Sequence, residues 1–405
     1  MRRAAIFGQQ FIDMNEDQRF ETQAIRQQID GTHAQEHSTP LYLTSSFTYE
    51  NSEEMRAAFA GEIDKNIYSR FSNPNTQEFV DKICAMEGAE AGYAFASGMA
   101  AVFSTFAALL AAGDNIISCR SIFGSTHTVF NKILPKWNIT TTYVDLKDTD
   151  SWQEVVKENT KLLYVETPTN PGVDLVDLSW VSEFTKKNDL ILVVDNCFAT
   201  PYLQQPIKFG ADLVIHSATK FIDGQGRVLG GVTVGRQDLI DEIYAFSRST
   251  GPSMSPFNAW VLSKSLETLA VRMDRHCDNA LKLAQFLESN DQIAWVKYPF
   301  LPSHPQHEIA NRQMSAGGGV VSFGIKGGLE RGKRFLDEIK MCSLTANLGD
   351  SRTIVTHPSS TTHAKLTEGE RQKVDITPEL IRVSVGLEHI DDIIVDIQQA
   401  LNHSI

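Results

Sequence analysis

No stretch of the chain approaches the roughly 20 consecutive apolar residues that a membrane-spanning helix needs, which sets a membrane-embedded protein aside. Cysteine is scarce and dispersed. Cys84, Cys119, Cys197, Cys277 and Cys342 make no Cys-x-x-Cys pair and are odd in number, so neither a disulfide framework nor a cysteine zinc site is indicated, and no metal is expected. A reducing, cytoplasmic setting fits them. Positive charge is in deficit: 37 Lys and Arg stand against 50 Asp and Glu, a net charge of -13 that repels a phosphate backbone and argues against nucleic acid as a partner. No apolar run of secretory length follows Arg2 and Arg3, and residues 1–13, which end just before Met14, are expected to be a loose extension or an upstream start with no role in the fold.

What is present is chain length and apolar content. With 405 residues, 42% of them apolar, the chain can fill two or so packed domains. From about Ala91, short β-branched runs alternate with amphipathic stretches: AGYAFAS, NIISC, TTTYVD, KLLYVET, LILVVDN and LVIHSAT. This α/β alternation, with few charges inside the runs, predicts a mostly parallel central sheet covered by helices on both faces. A long helical region is expected from Pro256 through Asn290. Beyond it, IAWVKYP, GGVVSFGIKG and LIRVSVGLE read as strands of a smaller C-terminal α+β domain. Residues 15–65 show no clear period and are expected to form an arm against a neighbouring subunit.

The most informative pair is Asp195, closing LILVVD, and Lys220, closing LVIHSATK. Both side chains should emerge at one edge of the sheet, where α/β proteins bind ligands. A partly desolvated lysine there can form a Schiff base with an aldehyde cofactor, and an aspartate can keep a pyridine nitrogen protonated, as pyridoxal 5'-phosphate (PLP) requires. Either residue alone reads equally well as a surface lysine or a capping aspartate. Ser97, Gly98 and Met99, between a strand and a helix start, offer backbone N–H groups to an anion. Ser217 and Thr219 add hydroxyls on the same edge. Two other patterns carry less. HAQEH (33–37) matches a zinc-protease spacing, but Gly31 and Pro40 bracket it too closely for a stable helix. GQGRVLG (224–230) has the glycines of a dinucleotide fingerprint but precedes a strand, so it reads as a loop beside Lys220.

Taken together, YSRFSNPN, SGMAA, ETPTNP, VVDNCFATP, HSATKFIDGQGRVLGG, THPSSTTH and RVSVGLE resemble the PLP-dependent Cys/Met metabolism enzymes, from about residue 20 to the C-terminus. The resemblance implies the aspartate aminotransferase-like PLP-dependent transferase fold and a homotetramer built from catalytic dimers. The expected division is an N-terminal extension and intersubunit arm at 1–65, a PLP-binding domain at 66–265 and a C-terminal domain at 266–405. It implies Lys220 as the Schiff-base lysine, Asp195 on the pyridine nitrogen, and Ser97, Gly98, Met99, Ser217 and Thr219 as phosphate ligands. It further implies that Tyr68 and Arg70 reach the cofactor phosphate of the neighbouring subunit, that Asn170 lies near the phenolic oxygen, and that Arg382 clamps the substrate carboxylate.

Two departures stand out. Phe123 occupies the place of the tyrosine that usually stacks on the cofactor ring, so the stack is kept and the hydroxyl is lost. Asn347 replaces the serine of a Ser-Leu-Gly motif on the substrate side, so that serine's carboxylate contact does not carry over. GQGRVLGG, NLGDSRT and Phe123 lean toward the branch of the family that joins O-succinylhomoserine and sulfide by γ-replacement, giving homocysteine. A synthase accepting cysteine and a γ-lyase share the early steps. Arg227 and Arg352, in loops near the expected site, are candidates for the distal carboxylate of a succinyl group.

Overall fold

Seven strands form the larger sheet: β1 (Ala91–Phe95), β2 (Asn115–Cys119), β3 (Thr140–Val144), β4 (Thr160–Glu166), β5 (Ile191–Asp195), β6 (Leu213–His216) and β7 (Gly231–Gly235). The structure is a computed structural model and describes residues 18–146, 148–365, 367–372 and 374–405; the expectation for residues 1–13 lies outside them. The strand order is β1-β7-β6-β5-β4-β2-β3. Only β7 runs against its neighbours, so the other six strands share one direction. The central strands are buried along their length, which explains their run of Val, Leu and Ile without polar alternation.

Helices pack both faces. The helix Gly98–Leu109 starts directly after β1, where the Ser97 hydroxyl accepts the Ala100 N–H at 3.1 Å and satisfies a donor left free in the first turn. Its buried Phe106 meets Phe130 and Tyr164 edge-on, at ring separations of 4.9 and 5.5 Å, and joins the helix layer to β4.

A second sheet is built from β8 (Ile293–Lys297), β9 (Val320–Ile325), β10 (Ser343–Leu344), β11 (Ile354–Thr356) and β12 (Leu380–Ser384), in the order β10-β11-β12-β9-β8. All neighbours are antiparallel except β10 and β11. The two- and three-residue strands β10 and β11 carry too little periodicity to be read from sequence.

The helical region expected from Pro256 is two helices, Pro256–Leu266 and Leu269–Glu288, interrupted at Glu267 and Thr268. Arg272 explains how the break is tolerated. Its buried guanidinium donates to the Ser265 carbonyl at 2.9 Å and to the Phe221 and Ile222 carbonyls at 2.6 and 3.1 Å. One side chain thus caps the first helix and holds the chain just past Lys220. Residues 33–37 form a turn, not a helix, with Glu36 accepting the Thr32 N–H at 2.8 Å. The segment before β1 also contains the short helices Phe20–Arg26 and Ser52–Phe59, the latter capped by Asn51.

Replacing Phe106 by alanine removes a fully buried ring that touches two others. The expected cost is about 3–5 kcal/mol in the cofactor-free protein, read from the denaturant midpoint. A loss below about 1 kcal/mol would show that this helix is not anchored to the sheet through Phe106.

Candidate active site

Because six strands run the same way, their C-terminal ends open on one edge. β1 delivers Ser97, Gly98 and Met99 there, β2 delivers Arg120 and Phe123, and β4 ends on Glu166. β5 ends on Asp195, and the turn after β6 carries Ser217 and Lys220. β12 of the second sheet supplies Arg382 from the facing side. All of these except Ser97, whose hydroxyl caps the helix, line a cavity of about 900 Å3, to which Asn170 also contributes. This edge is where open parallel sheets bind ligands, because strand ends project side chains and free backbone groups into a crevice.

The Lys220 Nζ donates to Asn347 Oδ1 at 2.5 Å. Burial lowers the amine's pKa below the usual lysine range, Cys197 works against the shift, and the Arg382 charge adds to it. Asp195 is 9% exposed, accepting the Cys197 N–H at 3.0 Å and the Tyr164 hydroxyl at 3.1 Å. Neither partner is a cation, and burial pushes its carboxyl up.

Glu166 pairs with Asp195 across β4 and β5 and is equally buried. It accepts the Phe123 N–H at 2.8 Å and the Asn170 N–H at 2.9 Å, tying three cavity segments together. Burial, then the charge of Asp195, raises its pKa well above the ordinary range. Sequence reasoning passed over Glu166, although it opens ETPTNP at the end of a buried strand, as Asp195 does one strand away.

Arg382 is 5% exposed and lacks a carboxylate partner among the described residues. Nη1 donates to Asn170 Oδ1 at 2.9 Å, Nη2 to the Asn347 carbonyl at 3.0 Å, and Nε has no partner. Burial brings its pKa down to about 10. A guanidinium lining a cavity with a donor to spare can receive a carboxylate through its planar fork.

Other expected site residues lie elsewhere. The Thr219 hydroxyl is engaged with the Gly230 backbone, at 3.1 Å to its N–H and 3.3 Å to its carbonyl. Tyr68 and Arg70 do not line this cavity; Arg70 stacks against Tyr68 and Phe71 and borders a separate cleft. Arg227 is bound by Asp223 and Ser265, and Arg352 by Asp350 and the Gln225 carbonyl. Neither reaches the cavity, because each guanidinium is used in bracing its own loop. The cavity instead has further cations that sequence reasoning did not single out: Arg120, Lys132 and Lys365.

Comparison with known proteins agrees with this geometry. The family model for the Cys/Met metabolism PLP-dependent enzyme matches residues 21–402. An O-succinylhomoserine sulfhydrylase of Pseudomonas aeruginosa is 46% identical over 94% of this chain and 95% of its own length. An L-methionine gamma-lyase of Fusobacterium nucleatum is 41% identical over 89% of this chain and 92% of its own. Among solved structures, metB from Corynebacterium glutamicum superposes with a TM-score of 0.89 at 37% identity, covering 95% of this chain and 98% of that one. An O-acetylhomoserine (thiol)-lyase structure from Campylobacter jejuni, which carries N'-pyridoxyl-lysine-5'-monophosphate, reaches 0.90 at 35% identity, covering 95% and 100%. With a half-buried lysine, a buried aspartate and a buried arginine lining one cavity, and a family model matched over nearly its whole length, this protein is a member of the Cys/Met metabolism PLP-dependent enzyme family.

Proposed function

We propose that the enzyme performs γ-replacement on an acylated homoserine, with O-succinylhomoserine and sulfide giving homocysteine and succinate. The residues present suit PLP. Asp195 is a buried carboxylate whose hydrogen-bond partners are both uncharged, so a protonated ring nitrogen would supply the missing counter-charge. Gly98 lets the turn pack directly against Ser217, since a Cβ there would come within 2.6 Å of the Ser217 Cβ and Oγ, so the glycine keeps that hydroxyl beside the backbone N–H groups of the helix start. Ser97, Gly98, Met99 and Ser217 would hold the phosphate, Phe123 would cover the ring, and Lys220 would hold the aldehyde carbon.

When bound, PLP supplies the ring that absorbs the charge developing at the substrate α-carbon. Arg382 fixes the α-carboxylate through its planar fork, and Asn170 and Asn347 hold that fork in place. Lys220 Nζ, kept neutral in a larger fraction by burial, takes the proton from Cα and moves it onward along the substrate chain.

Phe123 is the observation that carries the choice of leaving group. The ring lines the cavity but has no hydroxyl to donate. A thiolate leaving group, with a pKa near 8.5, gains much from a proton donor; a carboxylate, near 4, departs as a stable anion without one. The site therefore favours an ester over a thioether. An assembly of catalytic dimers into a tetramer belongs to the same reading, supported by the absence of Tyr68 and Arg70 from this chain's cavity and by exposed Leu43, Phe59 and Ile63 in the arm. A cytoplasmic location is supported by five unpaired cysteines.

Three results test this. Purified enzyme given O-succinylhomoserine and sulfide should release mainly homocysteine, and Lys220→Ala should lower turnover at least about 1000-fold. Dominant 2-oxobutyrate with sulfide present would favour a γ-lyase instead. Gly98→Ala should weaken PLP binding about tenfold or more in an absorbance titration; unchanged affinity would remove the phosphate from this turn. Finally, only the neutral amine attacks an aldehyde, so reconstitution of the cofactor-free protein should accelerate with pH through a midpoint below 10.5. Removing a nearby positive charge favours the ammonium form, so Arg382→Gln should move that midpoint upward; a downward move would contradict the coupling.

A further inference from the structure

The cavity is cationic in an anionic protein. Arg120, Lys132, Lys220, Lys365 and Arg382 line it, against Glu166 and Asp195 as the carboxylates. On the reading given above, Lys220 is used by the cofactor aldehyde and Arg382 by the α-carboxylate. Three cations, Arg120, Lys132 and Lys365, remain beside the cofactor phosphate, and a substrate with a second carboxylate would give one of them a partner.

Arg120 differs from the two lysines in how it is held. It follows directly on β2, three residues before Phe123, and its guanidinium lies over the Tyr143 ring at 5.5 Å from the centroid. Tyr143 is itself fixed. Its hydroxyl accepts from Asn131 Nδ2 at 2.6 Å, and His127 stacks on it at 5.3 Å with the planes 22° apart. Burial, then Arg120 and Lys132, depress the His127 pKa, so that ring is a neutral wall and not a further cation. No described Asp or Glu makes an ion pair with Arg120. A guanidinium oriented on an aromatic face, free of acid partners and opening into the cavity, presents a planar fork to a carboxylate.

We propose that Arg120 takes the distal carboxylate of the succinyl group and so sets the choice of succinyl over acetyl esters. The assignment rests on the reading that an acylated homoserine is the substrate. It moves the role away from Arg227 and Arg352, whose guanidinium groups are held by Asp223 and Asp350 outside the cavity.

The test is steady-state kinetics of wild type, Arg120→Gln and Arg120→Lys with O-succinyl- and O-acetylhomoserine at fixed sulfide. For the glutamine variant, kcat/KM on the succinyl ester should fall about 10- to 100-fold, mainly through KM, while the acetyl ester changes by less than about twofold. Lysine should restore part of the loss. Equal losses on both esters would mean a structural role and overturn the assignment. So would an unchanged ratio, or a wild-type preference for the acetyl ester. A wild-type enzyme that makes homocysteine from neither ester overturns the substrate reading itself, and is told apart by the wild-type rates alone.

Discussion

Arg382 reaches the cavity from β12 almost without contact with water, bonded to an amide oxygen and a backbone carbonyl but to no acid. Removing a charge from water without pairing it costs several kcal/mol, so the surrounding fold has to hold the guanidinium there by other means. It does so with two asparagines contributed by different parts of the chain. Asn170 follows β4 of the large sheet, and Asn347 precedes β11 of the small one. The Asn347 side chain also accepts from Lys220, so the same loop that braces the arginine positions the amine. The two sheets are thereby joined through the site, around a guanidinium whose two bonds go to uncharged groups.

On the opposite wall the imbalance has the other sign. Glu166 and Asp195 end neighbouring strands, both buried; burial raises the pKa of each, and the charge of Asp195 raises that of Glu166 further. Glu166 receives two backbone N–H groups, whereas Asp195 receives one and a tyrosine hydroxyl. The better-solvated role for Glu166 is structural, since its bonds fix the loops bearing Phe123 and Asn170. Asp195 accepts as many bonds and lines the cavity as Glu166 does, but it ties no two loops together.

The parallel strands were legible because burial on both faces leaves a mark in composition: LILVV and LVI have no other plausible place. Asp195 and Lys220 were legible because each closes such a run. Glu166 closes one too, but its neighbour in sequence is a Thr-Pro turn, and nothing local marks a carboxylate that will receive N–H groups from residues 43 positions away and four positions away. The helix break at Glu267 was hidden for a related reason. The apolar spacing continues across it, and the group that makes the break tolerable, Arg272, acts through carbonyls some 50 residues earlier. The partners of the loop arginines were hidden differently: loop placement says nothing about whether a guanidinium already has a carboxylate, and Asp223 and Asp350 lie only four and two residues from Arg227 and Arg352.

The lack of a hydroxyl at Phe123 and the presence of cations at Arg120, Lys132 and Lys365 are independent features that bear on the same substrate. The first makes a leaving group that needs a proton unfavourable; the second makes a substrate with no distal charge a poor match. A thioether such as methionine meets both objections, because its departing sulfur needs a proton and its methyl end carries no charge. An acetyl ester meets only the second. A succinyl ester meets neither, and its charge at the far end lets binding energy gained remote from the reacting carbon be used to hold Cγ in position, which is how an enzyme of shared early chemistry can separate replacement from elimination.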